Sequence, residues 1–443
     1  MIPGKKRETR DMKTKKLFTA LLAGSMLLGG LTSCSNTSAP SKLKNIADPK
    51  PEIDLASVSN GDHGDYQANA AAEGYNKYAL KLFADVAKAE GKDVNIMVSP
   101  ASVMFALDLA DAGACKNTLA EINRAIGGEG LTPEQQQAFA SQWMKDINSS
   151  DKVSFSAANA IWSNNQIVGD KLNPDYVKFI EKMYEAKAKT MNFDGAAVED
   201  INKWVKDKTK GMIDNIISRL EPQTAAVLVN AIAFEGVWEE PYEDYQVQPW
   251  TFKGTSGESD MTGLTEASSY YYESDKATGF SKLYAGGKYK FVAILPKDEK
   301  LDANTFMAGF TPEDYSKFIG SATWEYEVHS KIPKFKNEYD VILNDALKDL
   351  GINDAFDPGK ADFTGIAHTE ENMFISQVLH KTFIELDEKG TKASAATAIA
   401  METASAEAPM KKLKEVICDR PFAYMIVDCE NDKPIFIGTV NNI

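Results

Sequence analysis

The sequence predicts an α+β fold in one large domain, from three observations. Helix patterns over 74–89, 99–126, 174–187 and 201–213 are interleaved with strand patterns over 153–162 and ending at Phe193. A near-continuous apolar run, Ala225-Ala-Val-Leu-Val-Asn-Ala-Ile-Ala-Phe234, has the composition of a central strand covered on both faces. Near the C-terminus, eight of the sixteen residues from Ala393 to Ala408 are alanine, yet the segment is patterned at period 2. No internal repeat divides the chain, and its 443 residues of ordinary globular composition supply a sizeable core.

Lys13, Lys15 and Lys16 precede a fifteen-residue uncharged run, Leu17 to Leu31, which ends in Leu31-Thr32-Ser33-Cys34. A membrane span needs about 20 apolar residues, so this is the pattern of a secretory signal, over residues 1–33. Its ending resembles the bacterial lipobox, which implies export and a lipid on Cys34; Met1 and Met12 both remain open as starts. The implied location is a bacterial membrane, at the outer membrane, its periplasmic face or the cell surface. Residues 34–70 are small and polar, with Pro40, Pro49, Pro51, Gly61 and Gly64, and are expected to form a flexible tether reaching on the order of 120 Å when stretched. The folded domain is placed at 71–443.

The formal charge is −15, and removal of residues 1–33, with seven Lys/Arg and two Asp/Glu, makes it −20. Nucleic acid is a poor partner for such a chain. Besides Cys34 there are three cysteines, Cys115, Cys418 and Cys429. Extended chain through Pro421–Val427 would part the last two by roughly 35 Å, beyond disulfide reach, so free thiols are expected.

Along the domain, helices are predicted over 74–89 and 99–126. The second opens on Asn95-Ile-Met-Val-Ser-Pro100-Ala-Ser102, where Ser99 suits the cap and Pro100 the first turn. A strand over 153–162, a helix over 174–187 and a short strand ending at Phe193 follow. Residues 201–213 are expected to form an amphipathic helix whose four lysines read as a solvated face. Asn230, within the apolar run, must find partners if buried.

The alanine-rich segment is legible two ways. At period 2, Thr391, Ala393, Ala395, Thr397, Ile399, Met401 and Thr403 share one face, while Lys392 and Glu402 fall on the other with Ser394. A half-buried strand is thus encoded in residues small enough to remain outside as a loop.

The run from Val378 to Ala398, VLHKTFIELDEKGTKASAATA, resembles the serpin signature, a buried strand that ends in a Glu-x-Gly-Thr hinge followed by an alanine-rich loop. Similar motifs recur over residues 71–443. The resemblance implies the serpin fold, with three β-sheets, about eight to nine helices and an exposed reactive-centre loop. It implies a suicide-substrate inhibitor whose cleaved loop enters the central sheet and traps the acyl-enzyme. Counted sixteen residues past Glu388, the reactive bond is Ala404–Ser405. The implied hinge comprises Glu388, Gly390, Thr391, Lys392, Ala393, Ser394, Ala395, Ala396 and Thr397. Ser99, Pro100, Ser102, Asn230 and His380 become shutter positions, with Asn230 and His380 bonded across the gap through which the loop inserts. Trp238 and Lys334 become breach positions, and Lys334 is placed to pair with Glu388.

Lys392 stands where the family commonly has glutamate, and Ser394 where it has alanine, both on the outward face. Small residues around Ala404 suit shallow elastase-like pockets; subtilisin-like serine proteases and papain-like cysteine proteases stay open as targets. The resemblance implies a monomer without cofactor or metal. The alternative within the family is a non-inhibitory binding or chaperone protein. A hydrolase is disfavoured: the four histidines, His63, His329, His368 and His380, belong to no zinc or nucleophile motif, and the chain has no P-loop.

Overall fold

The computed structural model describes residues 64–443 apart from 128–129, 148–151, 170, 222, 268, 370–371 and 392–410. The expected signal 1–33, Cys34, the expected tether as far as residue 63, and the positions Lys392, Ala393, Ser394, Ala395, Ala396, Thr397, Ala404 and Ser405 lie outside the described residues.

In chain order the strands are β1 (Met97–Val98), β2 (Val153–Asn164), β3 (Lys187–Met191), β4 (Ala226–Val237), β5 (Val247–Gly254), β6 (Gly257–Glu266), β7 (Tyr270–Glu273), β8 (Ala277–Leu283), β9 (Tyr289–Pro296), β10 (Tyr326–Pro333), β11 (Phe335–Ile342), β12 (Gln377–Leu386), β13 (Gly390–Thr391), β14 (Lys412–Ile417), β15 (Phe422–Asp428) and β16 (Lys433–Val440). They form three sheets, ordered β11-β12-β13-β4-β2-β3, β1-β16-β15-β9-β8-β7 and β14-β10-β6-β5. Ten α-helices accompany them among the described residues, more than the eight to nine implied by the resemblance; Asn165–Val168 is a single turn that no periodic pattern reveals.

Local chemistry sets the helix ends. Ser99 Oγ accepts from the Ser102 amide at 3.3 Å, and Pro100 begins the helix Pro100–Asp111. The single helix expected over 99–126 is broken into this one and Lys116–Gly127. Between them Gly113 packs so tightly that a Cβ would lie 2.2 Å from the Ile366 side chain, and Lys116 adopts a φ of +52°. The helix Gly195–Lys208, capped by Asp194, ends before the expected residue 213 because Lys210 and Gly211 both take positive φ. The first helix, Gly64–Ala89, starts ahead of residue 71, where the sequence places the domain edge. Its opening Tyr66-Gln-Ala-Asn-Ala-Ala-Ala is rich in helix-forming alanine but carries no apolar period.

Strand β4 is the apolar run of the sequence, and its two faces are buried separately. Val227, Val229, Ala231 and Ala233 pack in the cluster that contains Ala197, Ile201 and Val205 of the helix Gly195–Lys208. Ala226, Leu228, Ile232 and Phe234 point into the main core. On one side β4 pairs antiparallel with β2, from Ser163↔Ala226 to Val153↔Gly236. On the other it pairs in parallel with β12, from Gln377↔Val227 to Phe383↔Ala233. Above that contact the two strands part, and β13 lies between them, antiparallel to both, through Leu386↔Thr391, Gly390↔Val237 and Thr391↔Gly236. The central sheet is therefore closed below and split above.

Candidate functional site

The closed part is locked by a buried polar network. His380 and Asn230 are register partners across the β12–β4 pair. His380 Nδ1 is hydrogen-bonded to Asn230 Oδ1, and its Nε2 accepts from the Ser99 amide at 3.1 Å. An accepting Nε2 leaves the proton on Nδ1, so the ring is the neutral tautomer that donates to Asn230. Burial strongly disfavours the imidazolium here and pushes the His380 pKa down to about 3. Asn230 Nδ2 in turn faces Asn159 Oδ1 at 2.5 Å, Ser102 Oγ at 2.6 Å and the Ser102 carbonyl at 2.9 Å. Ser99 Oγ donates to the Ile435 carbonyl at 2.8 Å, which ties the helix start to the second sheet. Ser99, Pro100, Ser102, Asn230 and His380, picked out on the sequence, thus meet at one buried point. Asn159 was missed there; it becomes visible only through its register with Asn230.

The split part is held by the segment ahead of β13. The Trp238 amide donates to the Lys389 carbonyl at 2.9 Å, its indole Nε1 to the Asp387 carbonyl at 3.0 Å, and the Tyr242 amide to the Glu388 carbonyl at 2.9 Å. Asp387 Oδ1 accepts from the amides of Lys389 and Gly390, which shapes the turn into β13. Thr391 is fully buried, and its hydroxyl lies 2.7 Å from the hydroxyl of Tyr284, whose ring stacks on Trp238 at 4.5 Å. Gly390 has φ +155°, and a Cβ there would sit 2.1 Å from the Gly236 carbonyl oxygen, so only glycine passes between the two strands at this level.

Lys334 stands where the chain leaves the third sheet at Pro333 and enters the first at Phe335. Its Nζ lies 2.5 Å from Glu388 Oε2, with both side chains about one-third exposed. This ammonium holds the Glu388 carboxyl below its ordinary pKa. Tyr242, Tyr284 and Asp387 were not singled out on the sequence: the two tyrosines lie far from the hinge along the chain, and Asp387, although it directly precedes Glu388, carries no mark of its turn-shaping role there. Cys115, Cys418 and Cys429 are free thiols, and burial raises the pKa of the last two. Among the described residues no group of His, Cys, Asp and Glu could hold a metal ion.

A family profile described as Serpin (serine protease inhibitor) matches residues 73–443. The chain belongs to the serpin family. This serpin is 28% identical, over 97% of its length and 99% of the relative's, to an uncharacterized serpin-like protein of Thermococcus kodakarensis. It is 30% identical to leukocyte elastase inhibitor A of Mus musculus, with 82% and 97% of the two chains covered. The crystal structure of the thermophilic serpin tengpin in the native state is 34% identical, covers 87% of this chain and 95% of tengpin, and gives a TM-score of 0.76. Tengpin in the latent state is matched over 87% and 99% at a TM-score of 0.70. Serpins are commonly protease inhibitors and generally not enzymes themselves.

Proposed function

We propose that this serpin is a suicide-substrate inhibitor of serine endopeptidases, with Ala404–Ser405 as its reactive bond. One observation carries the reading: a central sheet closed below Phe383, split above, and already occupied at its mouth by the first two residues of the hinge strand. The serine oxygen of the protease attacks the Ala404 carbonyl, the bond to Ser405 breaks, and the amine of Ser405 leaves with a proton, so that Ala404 stays esterified to the enzyme. The freed segment behind Thr391 then follows β13 into the slot. Thirteen residues at about 3.3 Å each would carry the attached protease roughly 40 Å. In that reading the His380–Asn230 contact is the shutter that must open, and Trp238, Lys334 and Glu388 form the breach. Small residues at Ala404 and Ser405 favour elastase-like targets, with subtilisin-like and papain-like proteases as further classes.

The same proposal includes export by residues 1–33, a diacylglycerol on Cys34 and a tether that ends where the first helix begins at Gly64, which hold the inhibitor at a bacterial membrane. Incubation with elastase should give an SDS-stable complex and a released peptide beginning at Ser405. Cleavage of that bond without a complex would favour a non-inhibitory binding or chaperone serpin instead. Mass analysis of the mature N-terminus tests the anchor.

A further inference from the structure

Charged side chains enter a protein interior only when paired, because desolvation otherwise expels or neutralises them. Lys282 of β8 and Glu266, the last residue of β6, are such a pair, with side chains 6% and 12% exposed and Nζ 3.0 Å from Oε2. Burial raises the Glu266 pKa, while the Lys282 ammonium acts against that rise. The ammonium also lies 4.3 Å from the centroid of the Tyr242 ring and 5.9 Å from that of Trp238. These are the two residues whose N–H groups hold three consecutive hinge carbonyls, Asp387, Glu388 and Lys389. Since β8 belongs to the second sheet, β6 to the third, and Trp238 follows β4 of the first, one cation stands where all three sheets meet.

We propose that Lys282, neutralised by Glu266 and seated against the rings of Tyr242 and Trp238, is a positioning residue that clamps the hinge and keeps the slot between β12 and β4 from filling before the loop is cut. The inference deepens the inhibitor reading and rests on it for its biological sense. Its geometry concerns only whether the slot accepts a strand. A cation against two aromatic rings, partly desolvated, contributes enough to change an opening equilibrium by a factor of about 5–30. The pair Asp428–Lys433 supplies an internal control: its side chains are 3% and 4% exposed, and Lys433 Nζ lies 5.0 Å from the Trp143 ring, yet its bonds go to the helix Pro133–Ile147 rather than to the hinge.

The test uses the intact chain and a synthetic peptide with the sequence of Thr391–Thr403, following its incorporation by native electrophoresis and by the accompanying rise in melting temperature. The double variant Lys282→Met/Glu266→Leu leaves no charge stranded, and should take up the peptide about 5–30-fold faster than the wild type. Lys282→Arg retains the cation and should stay near the wild-type rate. Asp428→Leu/Lys433→Met should shift the melting temperature without accelerating uptake. Wild-type uptake by the first double variant, or equal acceleration by the control pair, overturns the clamp. A wild type that takes up peptide but forms no SDS-stable protease complex sinks the inhibitor reading while a fast double variant still supports the clamp.

Discussion

Protonation of His380 sets a measurable acid limit on this fold. The ring is buried, its Nε2 is occupied by the Ser99 amide, and its folded pKa is about 3 against 6.5 for the free side chain. A depressed folded pKa means that the unfolded chain binds the proton more tightly. The stability is then fully present above about pH 6.5 and is lost as pH falls toward 3, by about 1.4 kcal/mol per unit. Between pH 7.5 and pH 4 the loss is about 3 kcal/mol. Other groups titrate in that range, so the informative quantity is the difference from His380→Gln, which offers an amide but no ionisable ring. Urea unfolding of both proteins from pH 7.5 to 4 should show the gap moving by about 3 kcal/mol in favour of the variant. A gap constant to within about 0.5 kcal/mol would refute the assignment of a neutral, proton-excluding ring.

Gly390→Ala drives a methyl group into the backbone of Gly236 and Val237 and should expel β13 from the sheet. The loss includes the bonds Trp238–Lys389, Asp387–Gly390 and Tyr284–Thr391, together about 2–4 kcal/mol, and amide exchange at Trp238 should quicken. Unchanged exchange there would show that the glycine is dispensable. Asp108, on the helix Pro100–Asp111, is fully buried, and neither carboxylate oxygen has a partner among the described residues. Desolvation, with Asp111 adding to it, raises its pKa well above 3.8, so the folded state is favoured at low pH and penalised as pH climbs through the raised value. Asp108→Asn should therefore exceed the wild type in stability at pH 7 by about 1 kcal/mol or more, with the advantage shrinking toward pH 4; equal denaturation midpoints at pH 7 would count against it.

The fold was readable where a single strand carries its own signal. The run from Ala225 gives β4 directly, because both of its faces are covered and every residue as far as Phe234 is apolar except Asn230. The partners of Asn230 were another matter: His380 lies 150 residues away, and only the family resemblance joined the two. Asn159 sits in a strand of alanines and serines with nothing to mark its face until the β2–β4 register is known. Nothing on the sequence marks Lys282 and Glu266, because a junction of three sheets is a non-local event that no window of sequence contains. The break at Gly113 was hidden for the same reason, since it answers to Ile366 from across the fold.

The directions of the central strands bear on why such a slot should fill at all. Below Phe383 the neighbours β12 and β4 run the same way, whereas the two hinge residues already between them run opposite to both. Every residue that followed Thr391 downward would exchange one parallel seam, with its slanted bonds, for two antiparallel seams with straight ones. Strand polarity alone thus tilts the ground beneath the intact molecule, before any side chain is counted.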